Sequence, residues 1–127
     1  MKLTKPNDRQ KAYIKALKEI ALKNPEGFSV DYKTLKPINK NIGFMIGLTD
    51  NDKGSFETKA KKLIYAKNNL FKKVKCYIGY WYDKETKNHI LDLSIYHNQE
   101  NASLTIGKAL KQKALFNLKT FQEVKVN

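Results

Sequence analysis

Val74-Lys75-Cys76-Tyr77-Ile78-Gly79-Tyr80-Trp81-Tyr82 is the stretch on which the fold turns. Val74, Cys76, Ile78, Tyr80 and Tyr82 fall on one side of an extended chain, and Lys75, Tyr77, Gly79 and Trp81 on the other. That period of two is the pattern of a half-buried β-strand. Asp83-Lys84-Glu85-Thr86-Lys87-Asn88 is turn material, after which Ile90-Leu91-Asp92-Leu93-Ser94-Ile95-Tyr96 returns with Leu91, Leu93 and Ile95 on one face. The two runs predict a β-hairpin with a longer loop. Cys76 shares the inward side and reads as a structural thiol. Tyr77 and Trp81 belong to the opposite side, with Tyr96 a further candidate for it.

Outward from the hairpin, the N-terminal part opens with Asn7-Asp8 as a helix N-cap. Tyr13, Ile14, Leu17, Ile20 and Ala21 then recur at helical spacing through about Lys23. Asn24-Pro25-Glu26-Gly27 stops this helix, because proline lacks a donor and biases its predecessor away from helical geometry. Phe28-Ser29-Val30-Asp31 reads as a short strand, Leu35 to Ile38 as extended or turn-like, and Ile42 to Leu48 as a buried strand. A polar loop from Thr49 to Gly54 leads to Ser55, which caps a second helix. Its apolar face is Phe56, Ala60, Leu63, Ile64 and Phe71, and it ends near Asn68-Asn69. Beyond the hairpin, Asn98 to Lys111 predicts a third helix containing Ala102, Ile106, Ala109 and Leu110. Ala114 to Leu118 and Phe121 to Val126 close the chain as a second hairpin. The order α, ββ, α, ββ, α, ββ predicts an α+β fold, a mainly antiparallel sheet of about four to six strands with helices packed on one face. The other face stays partly wet.

The 127 residues fit one domain, taken as 1–127, large enough to need no disulfide or metal staple. Cys76 is the only cysteine, and neither a secretory signal nor a membrane-length apolar run is present, so the expected location is the cytosol. The formal charge is +13, which attracts polyanions and acidic protein surfaces. Of the 25 basic residues only Arg9 is arginine, so bidentate contacts to phosphate and guanine are scarce. Lysine filling surface positions by default is the competing explanation of the charge.

The most basic stretch holds Lys59, Lys61, Lys62, Lys67, Lys72, Lys73 and Lys75 without one acidic residue, and Lys108, Lys111 and Lys113 add charge near the third helix. Two readings stay open. One is a polyanion-facing surface on which exposed aromatics stack; the other is a solvated lysine face with its aromatics in the core. Trp81, Tyr77 and Tyr96 are either a binding hot spot or cross-strand packing, and a helix over their face would favour packing. Asp83, Glu85, His89 and Asp92 gather at one hairpin, and Glu123-Val124-Lys125 has a carboxylate-x-lysine spacing. Carboxylates near a turn are common without chemistry, so no nuclease is expected. His89 and His97 lack partners at zinc spacing, and Gly43 and Gly47 open no phosphate loop. No metal and no cofactor are expected.

Several segments carry a resemblance. They are Asn24-Pro25-Glu26-Gly27-Phe28-Ser29-Val30-Asp31, then Thr34-Leu35-Lys36-Pro37, then Ile78-Gly79-Tyr80-Trp81-Tyr82-Asp83 through Glu85-Thr86-Lys87 to Leu91-Asp92-Leu93-Ser94. Near the end stand Gln112, Ala114-Leu115-Phe116-Asn117-Leu118 and Glu123-Val124-Lys125-Val126. Together these resemble a small α+β module of bacteriophage and mobile-element proteins, including large polyvalent proteins, over most of the chain. The usual module ends the hairpin turn with glycine, where this chain has Lys87-Asn88. The resemblance brings no catalytic residues. It implies a phage or prophage product that binds and inhibits a host defence protein or nucleoprotein complex, such as a CRISPR effector, without turnover. The alternative is a basic accessory protein that binds RNA or DNA directly.

Overall fold

The computed structural model describes residues 8–49, 54–83, 87–112 and 114–126. Asn7, the loop residues 50–53, the turn residues 84–86, including Glu85, and Lys113 lie outside them. So does the side chain of Asp83. Helix α1 (Asp8–Lys23) precedes strands β1 (Phe28–Asp31) and β2 (Phe44–Gly47). Helix α2 (Phe56–Asn69) precedes β3 (Tyr77–Asp83) and β4 (Asn88–His97), and helix α3 (Glu100–Ala109) precedes β5 (Ala114–Asn117) and β6 (Gln122–Lys125). The predicted element order is therefore the observed one.

The six strands form one sheet in the order β1-β3-β4-β2-β5-β6, antiparallel at every pairing. Its centre is the predicted hairpin, with Tyr80 opposite Leu91 and Ile78 opposite Leu93. All three helices lie on one face. Ile14, Leu17 and Ala21 of α1 and Ala60, Leu63 and Ile64 of α2 pack on Val30, Ile78, Tyr80, Leu91 and Leu93. Leu104, Ile106 and Leu110 pack on a second cluster of Phe44, Ile46 and Leu115, and Ile95 touches both clusters. Leu17, Leu63, Leu91 and Leu93 are 0% exposed. Each such burial contributes about 1.5–3 kcal/mol.

Helices α1 and α2 run antiparallel. Lys18 meets Glu57 at the start of α2, while Tyr13 and Lys67 both meet Tyr32 at the other end. Ser55 caps α2 as predicted, its Oγ accepting the Thr58 N–H at 3.1 Å. The connection from β1 to β2 must pass from the sheet edge to its interior. It folds back on β1 through a Val30–Pro37 bridge and ends beside Tyr96, whose hydroxyl donates to the Ile42 carbonyl at 2.8 Å. Gly43 makes that arrival possible: its φ is +107°, and a Cβ there would sit 2.5 Å from the Tyr96 ring.

Two strand expectations are corrected, and α3 is buried through residues the sequence reading did not single out. β3 starts at Tyr77, so Val74 lies before the strand and is 41% exposed instead of inward. On α3 the deeply buried residues are Ser103 and Gly107, while Ala109 is exposed. Small residues at i and i+4 bring the helix backbone close to the sheet, with Ile106 and Leu110 packing beside them. Phe121 precedes β6 in the turn and is 75% exposed.

Candidate functional site

The lysines named from sequence do not form one surface. Lys59 and Lys67, expected to be exposed, are 1% and 8% exposed. They sit on the sheet-facing side of α2, and each ammonium is spent on peptide and amide oxygens. Lys59 Nζ donates to Asn88 Oδ1 at 2.9 Å and to the His89 carbonyl. Lys67 Nζ donates to the Phe71 carbonyl at 3.0 Å and to that of Val74. An ammonium with three donors satisfies acceptors that a buried leucine would orphan. Lys59 therefore fastens the start of β4 and Lys67 the loop after α2, and both leave the binding set.

Lys62, Lys72 and Lys73 are exposed on and just after α2, and Lys108 and Lys111 are exposed around the end of α3. Lys75 lies on the other side of the sheet. Its ammonium donates to Asp31 Oδ2 and sits 5.5 Å from the Tyr77 ring centroid. The Lys75 ammonium, aided by the N–H groups of Thr34 and Lys33, holds the Asp31 carboxyl below its usual range.

Lys61 is the member that gains company. It lines an open groove of about 380 Å³ between α1 and α2, together with Lys11, Lys15, Lys18, Ile14 and Glu57. Lys18 Nζ donates to Glu57 Oε1 at 2.7 Å, and this bond holds the Glu57 carboxyl below its ordinary value. Among the described residues the one carboxylate lining the groove is thus matched, and Lys11, Lys15 and Lys61 remain in excess. Sequence reasoning passed over the α1 lysines. Positions 11, 15 and 18 share a helix face by their spacing of four and three, which was legible beside the apolar stripe at 14, 17 and 21.

The face of the sheet opposite the helices carries the three named aromatics. Cross-strand register sets Trp81 beside Ile90, then Ser29, Gly79 and Asp92 in a row, then Asp31, Tyr77, Ser94 and Gly47. Tyr96, Met45, Phe116 and Glu123 follow. Trp81 is 43% exposed, and no described helix covers it. Tyr77 and Tyr96 are half-buried. Lys40, not named from sequence, places Nζ 5.5 Å from the Tyr96 ring centroid.

The remaining reactive groups are engaged elsewhere. Tyr80 Oη and His89 Nδ1 share a hydrogen bond at 2.6 Å, and His97 Nδ1 accepts the Gln99 N–H at 3.0 Å. Burial raises the Cys76 thiol above its ordinary pKa and makes it a poorer nucleophile. Among the described residues no three His, Cys, Asp or Glu side chains gather as a metal site. Nor is any described helix long and apolar enough to cross a membrane. No protein-family model, curated protein or solved structure matches the chain.

Proposed function

We propose that this is a non-catalytic binding protein of a phage or mobile element, which docks on an anionic host defence nucleoprotein complex in the bacterial cytoplasm and blocks it. The observation that carries the reading is the α1/α2 groove, where Lys11, Lys15 and Lys61 converge and, among the described residues, the one lining carboxylate, Glu57, is paired with Lys18. Such a groove concentrates positive potential where field lines are focused, and it steers a polyanion onto one side of the molecule. The anti-defence setting is supported by the sequence resemblance. Blocking requires only a stable complex, with no reacting group.

Affinity capture from bacterial lysate tests this. The wild-type chain is expected to recover a stoichiometric ribonucleoprotein, and a Lys11→Glu/Lys15→Glu/Lys61→Glu variant with unchanged melting is expected to lose it. Recovery of no nucleoprotein by wild type, or of the same amount by the variant, overturns the proposal.

A second reading is direct binding of nucleic acid with no host protein. It is favoured by lysines that act as point charges on phosphate without reading bases. A gel shift on purified duplex separates the two. Three lysines neutralising three phosphates give a log–log salt slope of about −3, from roughly 0.9 per phosphate.

A further inference from the structure

We infer that the open face of the sheet is a stacking platform for single-stranded nucleic acid, centred on the bare backbone of Gly79 between Tyr77 and Trp81. A glycine inside a central strand weakens it, and such a residue normally marks an unusual φ or a close approach by another part of the chain. Neither applies here. Gly79 is not among the positive-φ glycines, and a Cβ built on it meets no atom of the described residues within 4 Å. The missing side chain therefore leaves room that the described residues do not fill.

The walls of that room are aromatic. Tyr77 and Trp81 point to the same side of β3, about 13 Å apart at 3.3 Å of rise per residue. The cross-strand neighbours of Gly79 are Ser29 and the half-buried carboxylate Asp92, both short, so the floor is low on both sides and carries one negative group at its edge. Trp81 is buttressed at its base by the α1–β1 turn. There Gly27, at φ +139°, comes so close that a Cβ would lie 2.7 Å from the Tyr80 carbonyl oxygen and 3.3 Å from Trp81 Cβ. Flat, half-exposed rings over an open floor suit unstacked bases, whose faces are available only in a single strand.

Charge fits the same occupant. Lys40 Nζ sits over the Tyr96 ring at 5.5 Å, within reach of a phosphate at that end of the face, while Lys75, over the Tyr77 ring, is paired with Asp31. Asp31, the carboxylate nearest Tyr77 in register, is neutralised by Lys75. The net charge of +13 supplies the long-range attraction. Lysines beside rings give sequence-tolerant binding, in keeping with a single arginine in the chain. This inference rests on the binding-protein reading for its polyanionic partner, but it concerns the face opposite the lysine groove and fails or stands separately.

Trp81 is the only tryptophan, so its fluorescence reports on this face alone. The full chain is titrated with oligothymidylate and oligouridylate about a dozen nucleotides long, with a duplex of equal length, and with polyglutamate. Quenching by the single strands that exceeds quenching by duplex and polyglutamate is expected. Gly79→Val fills the floor with a residue that suits a strand and is expected to weaken binding at least about tenfold without lowering the melting temperature. Tyr77→Ala is expected to weaken it similarly, with the reporter intact. The groove variant Lys11→Glu/Lys15→Glu/Lys61→Glu is expected to keep the quenching at moderate salt, so loss of the groove and loss of the platform are read apart. Absent quenching, equal quenching by duplex or polyglutamate, or unchanged affinity in both Gly79→Val and Tyr77→Ala overturns the inference.

Discussion

Lys59 Nζ lies 2.9 Å from Asn88 Oδ1, joining the buried side of α2 to the base of the central hairpin. The same ammonium donates to the His89 carbonyl, so one side chain holds both the first residue of β4 and the next. Lys59→Met keeps the aliphatic stem and removes the donor. Loss of about 1–3 kcal/mol is expected, the cost of buried acceptors left without a partner. Urea unfolding with an unchanged slope checks it. Lys62→Met, on the exposed side of α2, is expected to stay within about 0.5 kcal/mol of wild type.

Lys111 follows α3 at φ 57°, with its N–H donating to the Lys108 carbonyl and the Gln112 N–H donating to that of Gly107. This is a Schellman ending with lysine where glycine is usual. Lys87 occupies the same left-handed region, at φ 55°, in the hairpin turn where the resembling module has glycine. The left-handed penalty of about 1–2 kcal/mol exceeds the entropic cost of glycine, about 0.5–1 kcal/mol. Lys111→Gly and Lys87→Gly are each expected to raise stability by up to about 1 kcal/mol. A fall in melting temperature for both would show that these side chains hold the turns by contacts that outweigh backbone strain.

Asp31 ties the β1 end to Lys75. Its carboxyl is depressed chiefly by the Lys75 ammonium, so its contribution is complete above the unfolded value of 3.8 and is lost as pH falls through the lower folded value. Between neutral pH and about pH 3, wild type is expected to lose more stability than Asp31→Asn, which keeps an acceptor for the Thr34 and Lys33 N–H groups. Urea midpoints at both pH values decide it; parallel losses would remove the ion pair from the account.

Gly107 faces Leu115 across the α3–β5 contact, where a Cβ would lie 2.8 Å from Leu115 Cδ2 and 3.2 Å from Val126 Cγ2. Alanine gains about 1 kcal/mol of helix propensity, but overpacking costs about 1–3 kcal/mol, and Leu115 is 2% exposed with little room to yield. Gly107→Ala is therefore expected to destabilise the fold, and a rise in melting temperature would show that α3 can withdraw from the sheet at no cost.

Most of the architecture was legible because apolar periodicity is a local signal. The alternation from Cys76 to Tyr82 and from Leu91 to Ile95 marked the central hairpin and the face that meets the helices. Lys59 and Lys67 were not legible. Lysine is hydrophilic on any scale, and the carbonyls that receive these two ammoniums lie in a strand and a loop up to 30 residues away. The inward side of α3 escaped for the opposite reason: Ser103 and Gly107 are chosen for smallness, which hydropathy does not register. Of the candidate site, the aromatic side of β3 followed from strand alternation. The α1 lysines were visible in spacing, but their meeting with Lys61 depends on helix pairing that no local pattern encodes.

The place of β2 between β4 and β5 has a consequence for how the protein is made. A ribosome delivers β2 before either neighbour. Once β4 emerges, the β1-β3-β4-β2 portion closes with α1 and α2 above it, yet the outer margin of β2 and the side chains of Phe44 and Ile46 still await α3 and Leu115. A nascent chain halted at that stage displays an unpaired strand backed by apolar surface, which is the template that neighbouring polypeptides join. Arrival of α3 and β5 is thus the step that covers this template.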